Sequence, residues 1–242
     1  MPRDRTTDGS LVVYGVNPVL ELLRRGAPVG RLLLGPGPRR DEVAAAARTR
    51  GIPTTGCDRR TLDQAAGGPH HQGVVVEAPP FRYAPLPTLL GPDTRTLLVL
   101  DGVQDPRNLG AILRTARAAG VGGVVLPQDR SVGVTSVVAL TAAGLLFDLP
   151  IARVPNLVRA MEAVKEAGFW LVGLTTRGGD DLTTFRAPPR PVLVVGGEGE
   201  GLRPLVERTC DFRVSIPMAD GVESLNVAVA AGIAVFQLLR QA

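Results

Sequence analysis

Cysteine is scarce: only Cys57 and Cys210 occur in 242 residues, far apart in the chain. Neither a disulfide framework nor a cysteine zinc cluster can be built from them. Long apolar runs are missing too. The longest uncharged stretch, residues 131–147, has 17 residues and is interrupted by Thr, Ser and Gly, too short and too polar to span a bilayer. The opening MPRDRTTDGS has no apolar signal core, so a cytoplasmic protein without secretory signal or membrane span is expected. Lysine is almost absent, Lys165 being the only one, so the basic character rests on Arg.

What is present is a globular composition. Hydrophobic residues make up 45% and charged residues 21%, enough apolar material for a buried core and incompatible with disorder or collagen-like repeats. The net charge is +4, and residues 1–80 hold eleven Arg against eight acids, or +3. A basic bias in the N-terminal third suits a polyanionic partner.

Two segments separate along the chain. Residues 11–78 mix helix and strand signals. Asn17-Pro18 reads as an N-cap followed by Pro, with Val19, Leu20, Leu22 and Leu23 as an apolar face ending at Gly26. RLLLG (31–35) and QGVVVEA (72–78) read as strands, and DEVAAAARTR (41–50) as a helix. Residues 79–94, rich in proline, read as a semi-rigid linker. From Arg95 to residue 242, apolar strands at 97–101, 123–127, 151–154, 170–174, 192–197 and 212–218 alternate with helices, the last at 224–240. Val/Leu runs joined by helices predict an α/β fold with a mainly parallel sheet. Its functional loops then lie beyond the strands' carboxyl ends.

Three loops are chemically suggestive. DGVQDPRNLGAILRTARAAGV (101–121) leads into a helix that Asn108 can cap, with Arg114 and Arg117 off the stripe of Leu109, Ile112, Leu113 and Ala116. VLVVGGEGEGLRPLVE (192–207) runs from strand through glycines to helix. It has neither the dinucleotide spacing nor a Walker lysine. Glu198 and Glu200 would repel a pyrophosphate, so a cationic or zwitterionic ligand fits better. In SIPMADGVESLNVAVAAGIAVFQLLR (215–240), Ser224 reads as an N-cap before a helix apolar almost all round, which must be buried in a core or a subunit interface. Asn226 is harder to explain inside its first turn.

These loops together resemble the SpoU/TrmH branch of the SPOUT RNA methyltransferases. The resemblance rests on N-L-G-x-x-x-R (Asn108 to Arg114), G-x-E-G-x-G (Gly196 to Gly201) and S-I-P-M…S-L-N-V (Ser215 to Val227). Residues 11–78, with His71-Gln72-Gly73 before their last strand, resemble the family's L30e-like RNA-binding module. The layout is most similar to bacterial 23S rRNA guanosine-2′-O-methyltransferases. The resemblance implies a SPOUT domain with a C-terminal trefoil knot, S-adenosylmethionine (AdoMet) as donor, RNA ribose as acceptor, a homodimer, and no metal. By position it assigns Gly196, Gly197, Ile216, Leu225 and Thr175 to the cofactor. Asn108, Arg114, Glu198, Ser224 and Asn226 match the polar catalytic set. One segment departs: relatives often carry a K-x-S-x-G-A-x-E-like helix where this chain has LTAAGLLFDLP (140–150).

Methyl transfer needs the ribose oxygen in line behind the methyl group, so positioning supplies much of the acceleration. A guanidinium stays protonated, which makes Arg114 a stabiliser of the developing alkoxide and a phosphate clamp rather than a base. Asn108, Ser224 and Asn226 would orient sugar and loops, and Glu198 would fix the glycine turn or complement positive charge. The alternatives are a tRNA ribose methylase, an antibiotic-resistance rRNA adenosine methylase, and an RNA-binding protein without activity. A nicotinamide oxidoreductase is weaker, for want of the fingerprint.

Overall fold

The structure, a computed structural model, describes residues 9–239. In chain order the strands are β1 (Leu11–Tyr14), β2 (Arg31–Leu34), β3 (Thr54–Gly56), β4 (Val74–Ala78), β5 (Leu97–Asp101), β6 (Val124–Pro127), β7 (Ile151–Val154), β8 (Trp170–Thr175), β9 (Asp180–Asp181), β10 (Pro191–Gly196) and β11 (Phe212–Ser215). The helices are α1 (Val16–Arg24), α2 (Arg40–Thr49), α3 (Arg59–Ala66), α4 (Pro106–Ala119), α5 (Ser136–Thr141), α6 (Leu157–Glu166), α7 (Pro204–Thr209) and α8 (Val227–Leu239). The chain divides into two compact units. One holds the residues through Arg82 together with Val134–Asp148, and the other holds Tyr83–Gly133 and the chain from Leu149 on.

The first unit is a four-stranded sheet in the order β1-β4-β2-β3, antiparallel except for the β2–β3 pair. Its helix α1 starts one residue before the expected Asn17 cap. The Gln72 side-chain oxygen accepts the Val16 N–H at 2.9 Å and so caps the helix from a distant loop. His71 is buried and orders that loop: the Gly73 N–H donates to its Nδ1 (2.9 Å), leaving Nε2 as the protonated nitrogen facing Asp63 Oδ1 (3.1 Å). Residues 134–148 belong to this unit although strands of the other flank them in sequence. The Ser136 hydroxyl accepts the Val12 N–H at 2.8 Å, and Asp148 pairs with Arg25. The arginines clustered around the first helix and strand are each engaged with acids. Arg24 pairs with Glu42, Arg25 with Glu21 and Asp148, Arg31 with Glu77, Arg39 with Glu42, and Arg40 with Asp41.

The second unit is a seven-stranded sheet in the order β7-β6-β5-β10-β8-β11-β9, with every pairing parallel. Central strands β5 and β10 are buried on both faces, which is why they read as unbroken apolar runs. Helix α8 packs on β10 and α4, and α6 packs on β8 and α7. The expected linker is only partly a linker. From Tyr83 on it belongs to this unit, where the Ala84 N–H donates to the Ile151 carbonyl (2.8 Å) and Leu89 is buried in the core with Leu97, Val99 and Ala152. Burying one such leucine is worth roughly 1.5–3 kcal/mol, so proline richness here shapes a packed segment rather than a tether.

Candidate active site

The carboxyl ends of adjacent strands β10, β8 and β11 open into a cavity of about 350 Å³. Thr175 and Thr176 line it at the end of β8, Gly196 to Gly199 at the end of β10, Ile216 and Met218 after β11, and Ser224 to Val227 at the start of α8. The volume is that of a small-organic-molecule pocket. Among the described residues that line it, Glu198 alone is charged.

Glycines shape one wall. A Cβ on Gly196 would lie 2.0 Å from the Gly201 carbonyl carbon, and one on Gly197 would lie 2.4 Å from the Gly102 oxygen. No other residue fits either position. Gly199 and Gly201 have φ of +90° and +70°, and a bridge joins Gly197 to Gly201. The loop is therefore a narrow turn with Glu198 near its tip, and a backbone this free orders only if something holds it.

A chain of hydrogen bonds holds the tip. Asn226 Oδ1 accepts the N–H groups of Ala228 (2.9 Å) and Val229 (3.3 Å). Asn226 Nδ2 donates to Asn108 Oδ1 (3.0 Å), and Asn108 Nδ2 donates to Glu198 Oε1 (2.7 Å). The Gln104 N–H reaches Glu198 Oε2 at 3.4 Å. Two sequence expectations change here. The N-cap of α8 is Asn226, not Ser224, because α8 begins at Val227 and the cap oxygen comes from Asn226. This also accounts for an asparagine at that position. The N-cap of α4 is Asp105, whose Oδ1 accepts the Arg107 N–H at 2.7 Å, so the Asn108 side chain is free for the relay.

Of the ten residues singled out in the sequence, Thr175, Gly196, Gly197, Glu198, Ile216, Ser224, Leu225 and Asn226 line the cavity. Asn108 joins them through its bonds to Glu198 and Asn226. Arg114 is not brought to the cavity: it is exposed on α4, six residues past Asn108, about 9 Å along the axis. It makes no hydrogen bond or ion pair among the described residues, so it is available to a ligand or partner. The Thr175 hydroxyl is directed to the Gly178 and Val214 carbonyls (2.9 and 3.2 Å).

Sequence reasoning passed over Asp101 and Arg203. The Asp101 side chain is fully buried, accepts Arg203 Nε (2.7 Å) and the Arg203 backbone N–H (2.9 Å), and lies 2.6 Å from Arg203 Nη2 in an ion pair. The one available signal was a carboxylate closing the apolar strand LLVLD. Neither cysteine offers a nucleophile: burial pushes both thiols up, that of Cys210 to about 12, far from thiolate formation near neutral pH. Among the described residues no group of three His, Cys, Asp or Glu could hold a metal, and no helix is long and apolar enough to cross a membrane.

A parallel α/β unit with a glycine-walled, nearly uncharged strand-end cavity defines a protein that binds a small organic ligand with one anionic contact. Comparison with known proteins makes this specific. The profile of the SpoU rRNA methylase family matches residues 95–236, and that of RNA 2′-O ribose methyltransferase substrate binding matches residues 12–84. The chain belongs to the SpoU family of RNA methyltransferases. It is 41% identical over 248 residues, 99% of this chain and 79% of the other, to an uncharacterized tRNA/rRNA methyltransferase of Mycolicibacterium vanbaalenii. Among solved structures, the AdoMet-bound rRNA methyltransferase of Sinorhizobium meliloti aligns with TM-score 0.81 and 30% identity over 96% of this chain and 87% of its own. The SpoU methyltransferase AviRb of Streptomyces viridochromogenes, in complex with AdoMet, aligns with TM-score 0.82 and 28% identity over 100% and 94%. A TrmH/SpoU tRNA modifying enzyme of A. aeolicus covers only 64% of this chain, and 80% of its own length, with TM-score 0.56 and 27% identity.

Proposed function

We propose that this chain transfers a methyl group from AdoMet to a ribose 2′-hydroxyl of RNA, with a guanosine of 23S rRNA as the target. The carrying observation is the cavity, whose size suits AdoMet and whose single charged lining residue, Glu198, is an anion. AdoMet carries a sulfonium and an ammonium, and a carboxylate near them is attractive where a phosphate-bearing cofactor would be repelled. The cradle fits as well: Gly196 and Gly197 leave room only for backbone, so backbone N–H and carbonyl groups there can face the ligand directly. Thr175, Ile216 and Leu225 complete the wall.

When bound, AdoMet supplies an activated methyl group on sulfur. The residues of this chain then have to bring in a ribose and handle its proton. The relay from α8 through Asn226 and Asn108 to Glu198 fixes the rim where the sugar enters, and the exposed, unpartnered Ser224 hydroxyl is free to bond to it. Arg114 stabilises charge developing on the ribose oxygen and grips the neighbouring phosphate. It reaches a site through dimer formation. Val229, Ile233 and Phe236 form an exposed apolar stripe on α8, at 52%, 44% and 46% exposure, and a two-fold interface there buries it. Because α4 packs against α8, the same interface carries α4 and its Arg114 toward the partner.

Ribosomal RNA is favoured over tRNA by coverage. The S. meliloti rRNA methyltransferase aligns with 96% of the chain, both units included, whereas the tRNA modifying enzyme aligns with 64%. The first unit, matched by the substrate-binding profile, is then the RNA holder. The test is transfer of tritium from methyl-labelled AdoMet, followed by mapping of 2′-O-methyl sites in 23S rRNA and tRNA with and without the protein. A ribose label on one 23S guanosine is expected. Label only on tRNA, on a base, or nowhere overturns the assignment.

A further inference from the structure

The glycine loop is held at its tip by the relay, but its base is held by something else. At the outgoing side, Gly196 pairs with Asp101 in the parallel β10–β5 ladder, and Gly197 lies against the Gly102 carbonyl. At the returning side, the Asp101 carboxylate accepts the Arg203 backbone N–H on Oδ2 (2.9 Å) and Arg203 Nε on Oδ1 (2.7 Å), with Nη2 in ion-pair contact with the same Oδ1 at 2.6 Å. Asp101 therefore grips both ends of the loop, one through its main chain and one through its side chain. The Asp101 side chain has no exposure while that of Arg203 keeps 39%.

We infer that Asp101 and Arg203 are a positioning pair that presets the glycine loop for the cofactor. Neither lines the cavity, so neither touches the ligand. They act through residues 196–201. A loop rich in glycine has many conformations to lose on binding, and a loop already fixed loses few when the ligand arrives. The tip bonds and the Gly197–Gly201 bridge close the loop on itself, whereas the Arg203 contacts tie its returning side to β5. A fully buried carboxylate is retained only where its partners are complete, and here the completing partner is the residue that ends the loop. Charge alone does not suffice: the planar guanidinium sets Nε and Nη2 together against Oδ1, which fixes its direction as well as its distance, and a lysine ammonium has no such plane.

The inference rests on reading the cavity as the AdoMet site, so its test carries one readout independent of AdoMet. Asp101→Asn and Arg203→Lys are made in the full chain. Amide hydrogen exchange across residues 196–203 reports loop order without ligand, calorimetry reports AdoMet binding, and kcat and KM are measured with RNA. Expected are faster exchange confined to the loop, AdoMet affinity weaker by on the order of tenfold, an unchanged KM for RNA, and kcat that recovers at saturating AdoMet. A merely structural staple would lower the melting temperature without that recovery. Arg203→Lys carries the test if Asp101→Asn does not fold, since Arg203 is half-buried rather than enclosed. Wild-type exchange and wild-type AdoMet affinity in the folded variants overturn the inference. If the wild-type chain itself binds no AdoMet, the functional reading falls, and the exchange data alone decide whether the pair holds the loop.

Discussion

Asn226 faces two ways, accepting the N–H groups that open α8 with its Oδ1 and donating from Nδ2 to Asn108 Oδ1 at 3.0 Å. One side chain thus caps α8 and ties it to the first turn of α4. Asn226→Asp separates the two duties. Aspartate caps a helix as well as asparagine does, but as a carboxylate it only accepts. Asn108 could turn its amide toward it only by abandoning Glu198. Thermal stability should stay within about 0.5 kcal/mol of wild type, while methyl transfer falls more than about tenfold. Melting curves and turnover on the same samples check both halves, and full activity would remove the relay from the mechanism.

Arg114→Ala should leave AdoMet affinity and stability unchanged, because the side chain is exposed and without a partner among the described residues. Losing one stabiliser of developing charge costs about a hundredfold to a thousandfold in rate. Single-turnover transfer at saturating AdoMet measures this, and near-normal rates would exclude Arg114 from the chemistry.

The stripe on α8 sets up a test of assembly. Ile233→Glu with Phe236→Glu places charges on positions already 44% and 46% exposed, so the fold should survive. A two-fold interface would not, since two unpaired carboxylates per subunit would be desolvated in it. Light scattering should show a dimer for the wild type and a monomer for the variant, with activity lost alongside. A wild-type monomer with full activity would contradict the dimer.

Removing residues 1–82 should not yield a clean second unit. Val138, Ala139, Ala142 and Leu146 are buried, and their segment belongs to the first unit. Cutting the first unit away strands these side chains in water, an apolar surface prone to association. The truncated chain should aggregate, whereas one that also replaces 134–148 by a short polar loop should stay soluble. Gel filtration of the two distinguishes them, and equal behaviour would show that the segment packs elsewhere.

Much of the fold was written locally. LLVLD, IARV and the Val/Leu run before the glycines read as buried parallel strands because both faces of each are covered, leaving no polar alternation. Glu198 marked the cavity as unsuited to a phosphate for an equally local reason, its charge. Helix starts were another matter. Asn17, Asn108 and Ser224 all had good cap chemistry in sequence, yet the caps are a distant Gln72, Asp105 and Asn226. Any nearby polar side chain can satisfy the free N–H groups of a helix, and which one does so depends on where the neighbouring loops lie.

The main strands and helices of the parallel sheet, the glycine turn, the acid at its tip and the match to the SpoU family could be read from the sequence alone, because each depends on residue type and short spacing, whereas short elements such as β3, α3, α5 and β9 left no such mark. Tertiary structure decided the rest. It placed residues 134–148 in the first unit, paired Arg24 and Arg39 with Glu42, and joined Asp101 to a residue 102 positions away. These outcomes turn on which distant groups meet: a buried carboxylate requires donors and an apolar face requires cover, and only packing decides which part of the chain supplies them.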